Sequence, residues 1–235
     1  MRRLGILGGT FDPIHLGHLD IARAAESALG LTELLVVPSH FPPHRPQPSA
    51  SGYHRFAMVA LAIAGHPRWR ASDLELQAAS PSFTSATLDR LRASGYAAAE
   101  LFFIVGADAF AEIETWKNYP AIFDRAHFAV VSRPGISASG LRERLPAAAP
   151  RMLPVSHLAA ASARTSIFLI DSPTADVSST AIRARRASGL SIAGLVPPAV
   201  QQHIEQHGLY TNTPPDVGVD DATVDRAAGR LHGQN

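Results

Sequence analysis

The chain has 235 residues, a net charge of +1 and no cysteine. With 46% hydrophobic and 17% charged residues, it has the composition of a globular protein, and its length suits one large α/β domain with short appendages. The absence of cysteine excludes disulfides, thiolate nucleophiles and cysteine-ligated metal centres. A charge near zero argues for neither a nucleic-acid partner nor a membrane surface.

The first residues show no feature of a targeting segment. Met1-Arg2-Arg3 leads directly into an apolar stretch that ends at Gly8-Gly9 and is too short for the core of a signal peptide. No uncharged apolar run approaches the ~20 residues that a membrane helix needs. We therefore expect a cytoplasmic protein with no membrane partner.

Short apolar runs alternate with helical patterns along the first 210 residues. In chain order, the pattern predicts strand 4–7, helix 16–29, strand 34–37, helix 56–64, helix 84–91, strands 101–105, 128–131 and 167–170, and helix 197–208. Five prolines predict an exposed loop between residues 38 and 52, and residues 146–163 are predicted to be a loop or irregular helix. Continuous apolar strands separated by helices predict an α/β fold, a doubly wound Rossmann-like parallel sheet with helices on both faces. This domain would span residues 1–210, followed by a mobile polar tail over residues 211–235.

The first crossing from strand to helix carries the strongest signal of function. It reads Gly8-Gly9-Thr10-Phe11-Asp12-Pro13-Ile14-His15-Leu16-Gly17-His18 and matches neither the dinucleotide fingerprint nor the Walker loop. Glycines let the backbone approach a phosphate, and the helix start offers N–H groups to it. His15 and His18 share one face of a helical turn and can donate hydrogen bonds to phosphate oxygens. A two-histidine metal site and a pair of ordinary surface histidines are the alternatives.

A second signal lies about 160 residues further along the chain. Ser178-Ser179-Thr180 begins a predicted helix, and Arg183 follows Thr180 by three residues on the same face. Either serine can cap this helix and leave backbone amides for an anion, although the same residues also suit a plain helix cap.

Together the two segments resemble the signatures of the nucleotidyltransferase superfamily with the HxGH motif. Within it, residues 1–210 are most similar to bacterial nicotinate-nucleotide adenylyltransferases. Four further segments carry the resemblance: Pro38-x-x-x-Pro42-Pro43-His44, Pro81-Ser82-Phe83-Thr84, Gly106-Ala107-Asp108, and Trp116 with Tyr119-Pro120. The resemblance implies that ATP transfers its adenylyl group to nicotinate mononucleotide by direct in-line attack, without a covalent intermediate. Nicotinate adenine dinucleotide and pyrophosphate would be the products, and Mg²⁺ would accompany ATP.

The resemblance also implies a role for each site residue. The catalytic residues would be His15, His18 and Arg183. ATP would be bound by Gly8, Gly9, Thr10, Phe11, His44, Arg45, Ser179 and Thr180. The mononucleotide would be bound by Thr84, Asp108, Trp116 and Arg133. No residue is expected to ligate a metal, because phosphate oxygens and water would hold the Mg²⁺.

Several alternatives stay open from the sequence. Thr84 and Asp108 also suit helix caps, Trp116 suits a core or interface position, and Arg133 suits a solvated loop. The acceptor could instead be nicotinamide mononucleotide, phosphopantetheine or, with CTP, a glycerol phosphate, and a non-catalytic nucleotide-binding regulator is a further alternative. Homo-oligomerisation is left open. Eight of the eleven histidines have no motif around them.

Overall fold

A parallel sheet of seven strands forms the centre of the structure, a computed structural model that describes residues 2–40, 47–78, 81–158 and 164–212. The strands are β1 (Leu4–Gly9), β2 (Glu33–Pro38), β3 (Trp69–Ala71), β4 (Leu101–Gly106), β5 (His127–Val131), β6 (Met152–Pro154) and β7 (Ile167–Ile170). Their order across the sheet is β3-β2-β1-β4-β5-β7-β6, and every neighbouring pair is parallel. This arrangement confirms the predicted doubly wound α/β fold.

Helices cover both faces of the sheet. They are α1 (Leu16–Leu29), α2 (Gly52–Ile63), α3 (Thr84–Ala93), α4 (Ala107–Phe110), α5 (Leu141–Arg144), α6 (Ser179–Ala187) and α7 (Pro198–Gln206), with short 3₁₀ turns between some of them. Buried residues of α1, α2, α6 and α7 belong to one apolar core, and those of α3, α4 and α5 belong to a second. Strand β4 serves both cores, because Phe102 and Ile104 point to the first whereas Phe103 and Val105 point to the second. Within the described ranges, no helix combines the length and apolar character needed to cross a membrane.

The predicted elements agree closely with the observed ones. All five predicted strands are present within two residues of their predicted bounds, and α1 begins and ends where predicted, with Gly30 as its left-handed cap at φ 58°. The edge strands β3 and β6 were missed, because three residues are too few to show an apolar pattern. The prediction for residues 146–163 was wrong in part, since Met152–Pro154 pairs with β7. Residues 213–235 of the predicted tail lie outside the described residues.

The strand order determines where the ligand-binding crevice of a doubly wound sheet lies. Strand β1 lies between β2 and β4, so the chain winds outward from β1 to β3 and then returns to the other side of β1. The gap between the carboxyl ends of β1 and β4 is therefore the topological switch point, where doubly wound sheets bind ligands. Gly8-Gly9 and Gly106 end these two strands.

The opposite end of the sheet holds a buried histidine. His127 begins β5, is 3% exposed, and its Nδ1 accepts a hydrogen bond of 2.9 Å from the backbone N–H of Ser166. Its ring stacks on Phe102 at a centroid distance of 4.7 Å. Burial lowers the pKa of His127 to about 4.

His127 should make the fold less stable in mild acid. The folded protein keeps this ring neutral down to about pH 4, whereas the unfolded chain protonates it near pH 6.5. Between these values the unfolded state binds more protons, so the free energy of unfolding should fall by on the order of 3 kcal/mol as the pH drops. Denaturant unfolding across this range should show a shallower pH dependence for His127→Gln than for the wild type. The exposed His157 supplies a control, since His157→Gln should keep the wild-type slope.

Candidate active site

A buried arginine binds the backbone of the β1–α1 loop (residues 10–15). Arg55 lies on α2 and is 2% exposed. Its Nη1 donates to the carbonyl oxygens of Thr10, at 2.8 Å, and Ser39, at 2.6 Å, while its Nε donates to that of Ala50, at 3.2 Å. One guanidinium thus joins the loop to the segments that follow β2, which is the forked geometry that arginine provides.

The start of α6 holds the same loop from another side. Arg183 donates from Nη1 to the carbonyl oxygen of Asp12 at 2.8 Å, and Ser179 donates from its hydroxyl to that of Pro13 at 2.9 Å. Ser178 is the N-cap of α6, and its hydroxyl accepts from the N–H of Ala181. The two predicted motifs are therefore in direct contact, and Ser179 and Arg183 position the loop in addition to any contact with a ligand.

A buried carboxylate completes the anchoring of the loop. Asp12 accepts hydrogen bonds from the backbone N–H groups of Ser49 (2.7 Å) and Ala50 (3.0 Å) and from the hydroxyl of Tyr210 (2.8 Å). The Nη1 atom of Arg183 lies 3.9 Å from its Oδ2. Burial and the adjacent Asp12 charge raise the pKa of Tyr210 well above its usual value, so this hydroxyl remains a donor.

Phe11 supports the site from within the protein. Its backbone is in the left-handed region at φ 51°, which is uncommon for a residue with a side chain, and its ring is buried. The ring lies 2.9 Å from where a Cβ on Gly9 would be, and it meets the ring of His18 edge-on at 5.0 Å. The Phe11 side chain therefore requires glycine at position 9 and packs against His18, and the binding of ATP by Phe11 stays a prediction.

His15 and His18 lie together at the start of α1. His15 is the N-cap of the helix, and the two rings stack with centroids 3.7 Å apart. The backbone N–H of His15 donates to Nδ1 of His18 at 3.2 Å. Because Nδ1 of His18 is the acceptor, the proton of the neutral ring is on Nε2, which makes Nε2 a hydrogen-bond donor.

A pair of buried nitrogen atoms lies beside these histidines. Burial, together with the nearby charge of Arg133, lowers the pKa of His15 to about 3, so its imidazole is neutral at pH 7. Arg133 donates from Nη2 to the carbonyl oxygen of Val177 at 3.1 Å. Neither Nδ1 of His15 nor Nη1 of Arg133 has a hydrogen-bond partner among the described residues. Buried polar atoms without partners are costly, so these two nitrogens indicate a site for ligand oxygens.

Gly17 is required by this arrangement. A Cβ on Gly17 would lie 2.7 Å from Nη1 of Arg133 and 3.1 Å from the carbonyl oxygen of Ala175. The glycine of the motif therefore makes room for the Arg133 guanidinium against α1.

The end of β4 brings Asp108 to the same crevice. Asp108 is exposed in the first turn of α4, whose N-cap is Gly106, so the alternative interpretation of Asp108 as the helix cap is wrong. A Cβ on Gly106 would meet Oδ1 of Asp108 at 2.5 Å and Cγ of Arg133 at 3.2 Å. Gly106 thus lets Asp108 and Arg133 lie next to each other at the switch point.

Trp116 and the start of α3 are also brought together. Trp116 is partly exposed and meets the ring of Phe103 edge-on at 6.0 Å, and Phe103 packs beside Gly8. The ammonium of the adjacent Lys117 lies 4.2 Å from the centroid of the Phe83 ring. Phe83 is the N-cap of α3, so the alternative interpretation of Thr84 as a side-chain cap is wrong.

A cleft of about 640 Å³ continues from Arg133 past the ends of β5 and β7. Ser132, Ser137, Asp171 and Ser172 contribute polar groups to its lining. The strand ends therefore present one connected surface, with Trp116 and Asp108 near β4, the histidines at β1 and the cleft beyond Arg133.

The structure places all but two of the predicted site residues. His44 and Arg45 lie outside the described residues.

Sequence reasoning missed Arg55, Tyr210 and the carboxylate role of Asp12. For Arg55 a signal existed, because it shares the apolar face of α2 with Met58 and Val59, where a charged residue needs buried partners. Tyr210 carried no comparable signal.

Comparisons with known proteins identify the family of the chain. Residues 6–185 match a family model described as cytidylyltransferase-like. The chain belongs to this family. A curated relative from Cronobacter sakazakii, named "Probable nicotinate-nucleotide adenylyltransferase", is 44% identical over 204 residues, which cover 86% of this chain and 93% of that protein. A relative of the same name from Desulfatibacillum aliphaticivorans is 40% identical over 217 residues, covering 88% and 99%.

Solved structures of other proteins share the fold of this chain. Two structures of the Plasmodium falciparum nicotinic acid mononucleotide adenylyltransferase, one complexed with APC and one with NaAD, match with TM-scores of 0.67 and 0.68. Each is 18% identical in sequence, and each match covers 89% of this chain and 98% of the other. The curated relatives place the chain among the nicotinate-nucleotide adenylyltransferases of the family.

The Tyr210 hydroxyl should contribute measurably to stability. Tyr210→Phe removes a donor from the buried Asp12 carboxylate, and we expect a loss of about 1–3 kcal/mol in the free energy of unfolding. Tyr53→Phe is the matched control, because Tyr53 is 90% exposed and should tolerate the same change. Equal denaturant midpoints for the two variants would show that the hydroxyl does not support the loop.

Proposed function

We propose that this protein transfers the adenylyl group of ATP to nicotinate mononucleotide, releasing nicotinate adenine dinucleotide and pyrophosphate. The observation that carries this function is the pair of buried, unpartnered nitrogens, Nδ1 of His15 and Nη1 of Arg133, which both lie beside Gly17 of the first motif. Anionic oxygens satisfy such atoms, and a triphosphate supplies several. The names of the curated relatives, at 40–44% identity over most of the chain, support the acceptor.

The triphosphate lies over the ends of β1 and the starts of α1 and α6. His15 and the backbone N–H of Thr10 hold phosphate oxygens, while Nε2 of His18 donates to the α-phosphate as charge builds there. The first amides of α6, at Ser179 and Thr180, and the side chain of Arg183 face the β/γ end. Arg183 already donates to the loop through Nη1 and to Oγ1 of Thr180 through Nη2, so the N–H groups left over from these two bonds are the ones available to a phosphate.

The chemical step needs no general base. A phosphate oxygen of the mononucleotide is ionised at pH 7 and attacks the α-phosphorus; this P–O bond forms as the bond from the α-phosphorus to the pyrophosphate oxygen breaks. His15, whose pKa is lowered to about 3, is a neutral hydrogen-bonding group at that pH and not a proton shuttle. The protein contributes alignment of two anions and donors aimed at the developing charge.

The two nucleosides occupy opposite sides of the phosphates. On the β4 side, the partly exposed Trp116 offers a flat surface for the pyridine ring, with Asp108 and Thr84 as polar partners. On the other side, the cleft beyond Arg133 accommodates the adenosine of ATP. This placement puts the α-phosphorus of ATP between the two nucleosides, where the phosphate of the mononucleotide can attack it in line.

Mg²⁺ enters with ATP in this proposal. Asp12, the carboxylate of the β1–α1 loop, is already occupied by the N–H groups of Ser49 and Ala50 and the hydroxyl of Tyr210. The loop therefore lacks an open acidic ligand, which fits an ion held by phosphate oxygens and water. When bound, the ion neutralises part of the charge on the phosphates.

A pyrophosphate-release assay with ATP and a panel of acceptors tests the function. We expect the highest kcat/KM with nicotinate mononucleotide, and lower values with nicotinamide mononucleotide and phosphopantetheine. Preference for another acceptor would replace the proposed substrate. Absence of pyrophosphate release with every acceptor would instead support a nucleotide-binding regulator.

The same assay tests the role of His18. Removing its imidazole in His18→Ala deletes a donor to the transition state, so kcat should fall by on the order of 10²–10³. His157→Ala, at an exposed position, should keep wild-type turnover. Near wild-type kcat for His18→Ala would contradict the assignment.

Trp116 should affect the binding of one substrate only. Trp116→Ala removes the platform for the pyridine ring, so KM for nicotinate mononucleotide should rise while the Kd for ATP changes little. Steady-state kinetics and ATP titration measure the two effects, and thermal unfolding reports the lost packing on Phe103. A purely structural role would weaken both substrates in parallel with stability.

A further inference from the structure

Three histidines outside the proposed active site converge between α2 and α7. His54 lies in the first turn of α2, while His203 and His207 are one turn apart on α7 and its C-cap. One ring nitrogen of each lies within 4.8 Å of the ring nitrogens of the other two. Nδ1 of His54 and Nε2 of His203 are 3.1 Å apart, and the ring centroids are 4.4–5.3 Å apart.

We propose that His54, His203 and His207 bind one transition-metal ion of the Zn²⁺ type, with water completing the coordination. Two nitrogen ligands of a tetrahedral Zn²⁺ are separated by roughly 3.3 Å, close to the observed His54–His203 distance. The four-residue spacing of His203 and His207 puts both rings on one face of α7, so a small side-chain rotation brings the third ligand in.

The ligand chemistry selects the class of ion. Imidazole nitrogen suits Zn²⁺, Cu²⁺ and Ni²⁺, whereas Mg²⁺ and Ca²⁺ prefer oxygen ligands. Among the residues that the structure describes, the cluster consists of histidines alone. Histidine binds metal in its neutral form.

A metal at this position would join two elements that form hydrogen bonds with the β1–α1 loop, α2 and the segment after α7. His54 precedes Arg55, whose guanidinium donates to the carbonyl oxygen of Thr10. The segment after α7 carries Tyr210, whose hydroxyl donates to Asp12. The ion would thus be structural: it would join α2 to α7 without touching the reacting phosphates.

Zn²⁺ titration of the full-length, untagged protein, freed of metal with a chelator, tests the proposal. In the absence of ATP, competition against a chromophoric chelator should show one tight Zn²⁺ per chain. His207→Ala and His54→Ala should each weaken that binding at least 10-fold, whereas His157→Ala should bind like the wild type. At Zn²⁺ about 100-fold above Kd, Tm should rise by roughly 5–10 °C in the wild type and not in His207→Ala.

Two results would overturn the proposal. Equal Zn²⁺ affinity in the wild type, His54→Ala and His207→Ala would mean that the three rings only pack together. Loss of the tight site in His18→Ala, with the site retained in His207→Ala, would place the metal at the β1–α1 loop instead. His207 is exposed, so its variant should fold, and circular dichroism checks this before titration. Co²⁺ in place of Zn²⁺ provides a visible spectrum that distinguishes tetrahedral coordination from loose surface binding.

Discussion

The buried Asp12 carboxylate is the interaction on which the rest of the site depends. It lies in the loop that joins β1 to α1, and it draws together the segment before α2, through two backbone N–H groups, and the segment after α7, through Tyr210. A buried carboxylate is costly unless it is fully hydrogen-bonded, so these partners must be in place for the loop to keep its shape. Arg55 and Arg183 then fix the neighbouring carbonyl groups from two sides.

This anchoring explains how the loop can hold an unfavourable conformation. Phe11 has a left-handed backbone although it is not a glycine, and its ring is buried between Gly9 and His18. Such a conformation costs on the order of 1–3 kcal/mol and persists where the surroundings define it strongly. In return, the ring of His18 is in contact with two other rings, edge-on with Phe11 and stacked with His15.

The electrostatics of the crevice follow from burial. His15 is kept neutral beside the permanent charge of Arg133, so the site offers a fixed cation next to a neutral imidazole. This arrangement suits an anionic ligand, because the donors are already oriented and need no proton transfer to act. It also explains how a chain with a net charge of +1 can carry the proposed phosphate site: the charge that matters is local.

The same elements connect the proposed metal cluster to the loop. Helix α2 carries His54 and Arg55 as neighbours, and α7 leads directly to Tyr210. Helix α7 therefore contributes to the site although none of its residues belongs to either motif. Because the link runs through packing and hydrogen bonds, a change in the contact between α2 and α7 would affect the loop through Arg55 and Tyr210.

By itself, the sequence determined the fold class, five of the strands, the bounds of α1 and the two motifs. These features depend on local pattern: runs of apolar residues, glycine at Gly30, and spacing such as that of His15 and His18. Only the tertiary structure decided which residues meet. It paired Ser179 and Arg183 with the loop carbonyls, made Phe11 a support and placed Gly17 against Arg133. It also joined His54 to His203 across 149 positions. Contacts between distant residues follow from how helices pack on the sheet, and no local pattern in the chain encodes that packing.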